Sequence, residues 1–464
     1  MQRMAPVQAR VSMIAGSSLL GAAVTVLGLL LLWSLQVDSI WVVLFLSPIL
    51  LAATAPALTR QAARERDRRL FQLLLAALAL KLLGSLVRYW VSFSYYGGVV
   101  DSAYYHEVGA AISERFRSGT FDTGLESLTG TNFVPFFTSL LYTVIGPNIF
   151  AGYLIFSWLA FWGLFYAYRA FVIAMPGGDR RGYARLLFFL PSILYWPSSI
   201  GKDAWMLFTL GLAAYGAARI LSGRVLRGAI IAGLALWLAA LVRPHVAGMV
   251  GLGLAVAYIL GRTGVKRGWR ASAGKLVGMA AVIVLAAVLL SQTSAFLKKS
   301  GLDPEDGVAS VLTETRARTE QGGSSFGTSQ PAVSPTQLPI SVVTILFRPF
   351  LFEANSLQVL ITAVESTVLL VLTVRRIRPI GRAVRSFRRL PYVTFVVVYG
   401  LLFIVAFSSI GNFGILARER CQLLPFFLVL LAVPGVRTRR VRTPAPATTT
   451  QPVRRADAGQ LVRA

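Results

Sequence analysis

Four short hydrophilic turns between long apolar segments contain the residues best suited to binding an anion. Their ionisable residues are Lys202 and Asp203, Arg243 and His245, Arg348 and Glu353, and Arg418 and Arg420. Guanidinium forks and ammonium groups hold phosphate oxygens through charge-assisted hydrogen bonds. The pattern predicts a site for a lipid phosphate or diphosphate, with the lysine and the four arginines as ligands and Arg420 as the weakest of them.

A second interpretation pairs these cations with nearby carboxylates. The pairs would be Lys202 with Asp203, Arg418 with Glu419, and Arg348 with Glu353. Adjacent residues on a helix point to different faces, so the first two pairs have poor geometry. Internal pairing nevertheless remains an alternative to an anion site.

A longer acidic loop, residues 94–132, contains the carboxylates Asp101 and Glu107. Apolar residues from Val108 to Phe116 follow the spacing of one helix face, and Gly119 ends the pattern. This predicts an amphipathic helix over 101–117. Asp101, at its start, has the residue type and position of an N-cap.

The metal-binding potential of the sequence is low. His106 and His245, with Asp101 or Glu107, are the conceivable ligands, but they form no spaced motif and are more typical of surface histidines. The single cysteine, Cys421, excludes an internal disulfide and a cysteine-cluster metal site. No metal site is assigned and no cofactor is firmly implied, although a divalent metal would be compatible with these carboxylates.

The composition identifies the elements that must position these residues. Of 464 residues, 55% are hydrophobic and 14% are charged, and the mean hydropathy is +0.66. Soluble domains carry roughly 25% charged residues, so an ordinary soluble enzyme is excluded. Runs near the ~20 residues of a membrane-spanning helix predict an all-α, polytopic transmembrane bundle of about 12 spans. These spans are 11–33, 40–58, 70–93, 149–174, 186–200, 204–221, 229–242, 246–260, 276–295, 355–374, 391–410 and 421–436.

The net charge of +27, from 46 Lys+Arg against 19 Asp+Glu, reflects topology. Every second loop is basic, at 60–69, 180–185, 219–227, 262–275 and 375–389, as the positive-inside rule requires. Both termini are therefore expected in the cytoplasm, and loops 94–132 and 297–352 outside. The 13-residue apolar segment Phe133–Ile145 is expected to be re-entrant or interfacial, since counting it as a span would reverse all later loops.

Three parts of the chain follow from this pattern. Residues 1–69 form a two-span hairpin and a basic loop, residues 70–436 form the transmembrane core, and residues 437–464 form a basic, disordered cytoplasmic tail.

Within residues 70–436, the arrangement resembles the GT-C superfamily of membrane glycosyltransferases. In that family a span is followed by an outer loop with an acidic residue near its start and amphipathic helices on the membrane surface. Asp101, in Val99-Val100-Asp101-Ser102-Ala103-Tyr104-Tyr105, matches that position. Further short outer turns contribute cations, and a later large outer loop, here 297–352, covers the acceptor. The absence of an acidic pair at Asp101 departs from the simplest pattern.

The resemblance implies an inverting sugar transfer from a polyprenyl-phosphate donor to a cell-envelope glycan or lipid on the outer face of the bacterial inner membrane. Asp101 would be the base, with Glu107 next, and the cations would hold the leaving phosphate. Expected partners are the lipid-linked sugar, its acceptor and membrane lipids, but not nucleic acid. An envelope polysaccharide polymerase or ligase, and a transporter or flippase of lipid-linked saccharides, are the alternatives.

Overall fold

A computed structural model describes residues 42–261 and 336–434, together with residues 291, 316, 317, 319, 325 and 326. These residues are helical apart from turns and one isolated bridge between Ser325 and Asn412. The expectation of an all-α protein is confirmed for them. The predicted spans 11–33 and 276–295, most of loop 297–352 and the tail 437–464 lie outside the described residues.

The helices are numbered here in chain order. The first eight are α1 (Val42–Glu65), α2 (Arg68–Trp90), α3 (Asp101–Arg117), α4 (Phe133–Ile145), α5 (Ile149–Ala174), α6 (Arg180–Phe189), α7 (Pro191–Tyr195) and α8 (Lys202–Leu221). The others are α9 (Val225–Ala240), α10 (Pro244–Leu260), α11 (Leu338–Phe347), α12 (Leu357–Arg385), α13 (Pro391–Phe407), α14 (Phe413–Arg420) and α15 (Leu424–Leu431).

Five helices in the described part of the chain are long and apolar enough to cross a membrane: α1, α2 with its π-helical extension to Tyr95, α5, α8 and α12. Other predicted spans are shorter helices, of which α9, α10 and α13 have 16 or 17 residues. By helix length alone, the described residues therefore account for five of the about 12 predicted spans.

One end of the bundle gathers the basic loops of the described residues, and we call it the basic end. There the loop after α1 meets the loop after α5, through ion pairs of Arg180 with Glu65 (3.5 Å) and Arg181 with Asp67 (2.9 Å). The hydrogen bond to Arg181 is the main cause of the lowered pKa of Asp67. Arg376 of α12 reaches the same end, where it donates to the Leu431 carbonyl at 3.0 Å.

The predicted span 186–200 is interrupted. Pro191 forces Leu190 into an extended conformation (φ −64°, ψ 128°), and α6 therefore ends before α7 begins with that proline at its first turn. The turn Trp196–Gly201 follows, and it delivers Lys202 and Asp203 to the end opposite the basic loops. The backbone restriction imposed by Pro191 therefore explains why the apolar run is not one helix.

Close backbone packing fixes the position of α8. Gly163 of α5 and Gly211 of α8 lie against each other, and a Cβ added at Gly211 would be 1.9 Å from the Gly163 carbonyl oxygen. Small residues allow such contact between helices that lack a hydrophobic driving force in lipid. The middle of α8 is thereby held against α5.

The predicted amphipathic helix over 101–117 is confirmed as α3. It packs on α4, where a Cβ at Gly109 would lie 2.9 Å from Thr138 Cγ2. Gly119 (φ +86°) and Gly146 (φ +89°) follow the two helices in the left-handed conformations that glycine adopts without strain. The helical pair forms a cap beside the end opposite the basic loops.

Candidate functional site

Five charged side chains from four elements converge at the end opposite the basic loops. We call Asp101, Asp203, Arg243, Arg418 and Glu419 the charge cluster. They come from the first turns of α3 and α8, the turn before α10, and the last turn of α14. Their positions in the sequence do not predict this cluster, since Asp101 and Arg418, which are in contact, are 317 positions apart.

Arg418 joins two carboxylates of the charge cluster. Its Nε donates to Asp203 Oδ2, and its Nη1 donates to Asp101 Oδ2 at 3.0 Å. The Asp203 side chain is only 9% exposed, whereas that of Asp101 is 57% exposed. The nearby carboxylate of Asp203 raises the pKa of Arg418, against the opposing effect of burial. One face of Asp101 therefore remains open to solvent while the other contacts a permanent cation.

Arg243 and Glu419 form the inner part of the charge cluster. Both terminal nitrogens of Arg243 donate to Glu419, one of them to Oε1 at 2.7 Å, and Gln422 Nε2 donates to Oε2 at 2.6 Å. Arg243 also lies 3.8 Å from Asp203 Oδ1. Burial raises the pKa of Glu419, but the charge and hydrogen bonds of Arg243 outweigh it, so the net pKa is lowered.

A cleft of about 180 Å³ opens beside the exposed part of the charge cluster. Its lining residues are Arg88, Val100, Asp101, Ser102, Ser199, Ile200, Gly201, Asp203 and Arg418. The wall formed by residues 199–201 is the turn that precedes α8, and the wall formed by residues 100–102 is the start of α3. The cleft therefore combines cations, hydroxyls and one accessible carboxylate.

Sequence reasoning did not assign Arg88 to the site. Its Nη1 donates to Tyr195 Oη at 2.7 Å, and its guanidinium lies 4.7 and 4.8 Å from the ring centres of Tyr195 and Trp196. An arginine late in an apolar run is usually explained by snorkelling toward the interface. In the sequence, the aromatic pair Tyr195-Trp196 was the one feature that could have indicated specific partners for this arginine.

Lys202 stands in the chain between two residues that line the cleft, Gly201 and Asp203, and its predicted pairing with Asp203 is wrong. Its Nζ donates to Thr131 Oγ1 at 2.8 Å, whereas Asp203 binds Arg418. The two side chains leave α8 in different directions because they are adjacent on a helix. Arg418 likewise pairs with Asp203 and Asp101 instead of its neighbour Glu419.

Arg348 and Arg420 are held by internal partners. Arg348 donates to Glu353 through Nε (2.9 Å) and Nη2, so the predicted pairing of these two residues is confirmed. Arg420 is fully buried and donates to the carbonyls of Leu346 (3.2 Å) and Arg348 (3.1 Å). Neither arginine lines the cleft, nor does Arg243, and we leave all three out of the anion site proposed below.

Neither the two histidines nor Glu107 lines the cleft. His106 Nδ1 is 2.8 Å from Tyr142 Oη, and burial lowers the pKa of this histidine. His245 packs against Phe407, with ring centres 6.3 Å apart. Glu107 is exposed on α3 and does not line the cleft. In the described part of the chain, no group of three histidine, cysteine or acidic side chains is placed to hold a metal ion.

The N-cap interpretation of Asp101 is wrong. Val100 is the N-cap of α3, with no side-chain hydrogen bond to the helix, and Asp101 is the first helical residue. The carboxylate is directed to Arg418 instead of to its own backbone. Its presence in the first turn still favours the helix through the macrodipole.

No protein-family model matches this sequence, and neither a curated protein nor a solved structure shows detectable similarity to it.

Proposed function

We propose that this protein is a GT-C-like membrane glycosyltransferase, which moves a sugar from a polyprenyl-phosphate-linked donor to a cell-envelope glycan or lipid on the outer face of the bacterial inner membrane. The observation that carries the proposal is the cleft in which the half-exposed carboxylate of Asp101 lies beside the guanidinium groups of Arg418 and Arg88. This arrangement supports the proposal, because an inverting transfer needs a base close to the leaving phosphate.

The proposed reaction uses Asp101 as the general base. Its carboxylate takes the proton of the acceptor hydroxyl as that oxygen bonds to the anomeric carbon. The bond between this carbon and the carrier phosphate breaks, and the phosphate leaves with the electron pair. Arg418, Arg88 and Lys202 would stabilise the charge that develops on the leaving phosphate.

Arg418 has a second part in this proposal. In the structure its guanidinium donates to one carboxylate oxygen of Asp101. A bound donor phosphate would compete for the same guanidinium and draw it away from Asp101. Asp203 would keep Arg418 in the cleft during this exchange, because it binds the Nε side of the fork.

The anion site is best tested with Lys202→Gln and Arg88→Gln, because neither substitution breaks an ion pair. Lys202 contacts Thr131 and Arg88 contacts Tyr195, and both partners are neutral. Each variant should bind a radiolabelled polyprenyl phosphate roughly ten- to a hundred-fold more weakly, since a charge-assisted contact contributes about 1.5–3 kcal/mol.

Arg117→Gln is the matched control, because Arg117 is exposed at the end of α3 and does not line the cleft. Its affinity should equal that of the parent. If all three variants bind the carrier with parental affinity, the phosphate site lies elsewhere. A transfer assay with a panel of polyprenyl-phosphate sugars would identify the donor.

We also propose that the chain crosses the membrane about 12 times, with both termini in the cytoplasm and Phe133–Ile145 re-entrant or interfacial. Short segments such as α9 and α10 would cross in a locally thinned bilayer or with their ends covered by protein. The supporting observation is that the basic loops gather at one end of the bundle and the charge cluster lies at the other.

Cysteine labelling tests this topology. Thr120→Cys, after α3, should react with an impermeant maleimide in intact cells, whereas Ser222→Cys, at the basic end, should react only after permeabilisation. Both residues are exposed, and the native Cys421 is buried and should contribute little background. If intact cells label Ser222→Cys but not Thr120→Cys, the orientation is the reverse of the one proposed.

A transporter of lipid-linked saccharides is the second candidate, because polar groups surround the break between α6 and α7. Lys81 Nζ donates to the Ile193 carbonyl at 2.6 Å, and Ser192 N–H donates to Glu365 at 2.7 Å. Interrupted helices with intramembrane charges are typical of transporters. Movement of labelled lipid-linked sugar across proteoliposomes without any sugar transfer would favour this function.

A further inference from the structure

A second cleft, of about 460 Å³, lies at the basic end between α8 and α9. It is lined by Arg219, Arg224, Val225, Leu226 and Arg227. Three arginines thus line one open space. In the described residues, no carboxylate lies within ion-pair distance of any of the three.

Arg219 is held in place by a neutral partner. Its Nη1 donates to Tyr215 Oη at 2.8 Å, and Arg169 Nη2 donates to the same oxygen at 2.9 Å. The Nε of Arg219 is buried without a hydrogen-bond partner in the described structure. Two guanidinium groups on one phenol oxygen repel each other, and near a bilayer this repulsion is weakly screened. An anion beside Arg219 would relieve this repulsion.

The first turn of α9 supplies further donors. Val225, Leu226 and Arg227 form that turn, and its N-cap, Arg224, makes no side-chain hydrogen bond to it. The backbone N–H groups at a helix N-terminus favour phosphate, both through hydrogen bonds and through the helix dipole. The backbone and the three arginines therefore favour the same kind of ligand at the same place.

An apolar ridge leads away from the cleft along α9. Leu226, Ile230, Leu234 and Trp237 are spaced at helical intervals, and all four are exposed. A ridge of this kind is suited to contact with lipid chains. It begins at the cleft, so a molecule with a phosphate in the cleft and acyl chains on the ridge would contact both surfaces.

From this geometry we infer that the cleft between α8 and α9 binds the headgroup phosphate of an anionic membrane phospholipid, with the acyl chains along the ridge of α9. The inference depends on the membrane placement of the chain but not on glycosyl transfer. The positive-inside rule alone requires cations near this end. The rule does not require that one of these arginines be held by a tyrosine beside a helix N-terminus that lacks a side-chain cap. A basic pocket with a fixed arginine is suited to binding one lipid headgroup.

The test is a titration of the purified full-length protein with phosphatidylglycerol, followed by native mass spectrometry. The parent should bind one phosphatidylglycerol saturably and in preference to phosphatidylcholine. Arg219→Gln and Arg227→Gln should each weaken this binding about tenfold, as expected for one lost charge-assisted contact. Arg227 is exposed, so its replacement leaves the packing intact even if Arg219→Gln perturbs it.

Arg385→Gln is the control, because Arg385 is exposed in the last turn of α12 and does not line the cleft. It should bind phosphatidylglycerol like the parent. Equal weakening by all three substitutions would indicate diffuse attraction and overturn the site. The inference would also be overturned if the lipid bound without saturation, or if inorganic phosphate displaced it at concentrations similar to those of the lipid. Loss of donor binding at the other end would leave these results unchanged, so the two proposals fail separately.

Discussion

Asp101→Asn should abolish most sugar transfer while the protein stays folded and keeps its affinity for the donor. The amide cannot accept the acceptor's proton, so turnover should fall roughly 10²–10⁴-fold. The fold should tolerate the change because Asp101 is more than half exposed, and a partly exposed ion pair contributes little to stability. Arg418 keeps its second carboxylate, Asp203, so no buried charge is left alone.

Donor affinity separates the catalytic role from a binding role. Asp101 is the acidic competitor for Arg418, and its neutralisation should leave the donor dissociation constant unchanged or slightly lower. Turnover and dissociation constant should be measured on the same preparation, with thermal unfolding as a check on the fold. Near-parental turnover of a folded Asp101→Asn protein would exclude Asp101 as the base.

Two matched carboxamide substitutions on the same helix complete this experiment. Glu114→Gln removes an exposed acid of α3 away from the cleft and should be silent. Glu107→Gln removes the second base predicted from the sequence, and it too should be silent, because Glu107 does not line the cleft. A large loss of turnover in Glu107→Gln alone would move the base one and a half helical turns along α3.

Much of the helical architecture is readable from the sequence because membrane spans leave a strong compositional signal. The apolar runs predicted α1, α2, α5, α8 and α12, and the charge pattern of the loops predicted which residues gather at the basic end. The break between α6 and α7 was missed because its residues are uniformly apolar, and a single proline decides the backbone there. The short apolar runs 229–242 and 246–260 did predict that α9 and α10 would be short, whereas the 20-residue run 391–410 did not predict the 17 residues of α13.

The site was only partly predictable, for a different reason. Residue type marked the cations of the outer turns, but their partners are set by packing between distant segments. Glu419 looked like a neighbour of Arg418, yet it is a partner of Arg243, 176 positions away. Arg420 looked like a ligand, yet it is buried among backbone carbonyls. The type of a charged residue does not reveal whether its side chain is buried.

Arg243→Ala should destabilise the protein severely, because it leaves Glu419 buried and charged with no cation of its own. Removing one partner of a buried ion pair costs about 3–5 kcal/mol. Glu419→Gln should also destabilise the protein, because Arg243 then keeps only its longer contact with the carboxylate of Asp203. Both single variants should show a lowered thermal unfolding midpoint and more aggregation after extraction in detergent.

The double variant Arg243→Met/Glu419→Gln should recover most of the lost stability. It removes both charges together, and the new amide oxygen can still accept the hydrogen bond from Gln422. Replacing a buried ion pair by neutral groups of similar volume is often nearly neutral. A double-mutant cycle on the unfolding midpoints, with Arg243→Met and Glu419→Gln as the matching single variants, would give the coupling between the two positions.

The same cycle decides between the two interpretations of Arg243. A structural arginine predicts strong coupling to Glu419, with donor binding restored in the double variant to the extent that folding is restored. A phosphate ligand predicts the opposite pattern: Arg243→Ala would stay folded, would bind the carrier ten-fold or more weakly, and would not be rescued by Glu419→Gln. The bidentate contact with Glu419 occupies both terminal nitrogens of the guanidinium, and Arg243 does not line the cleft, so we expect the structural pattern.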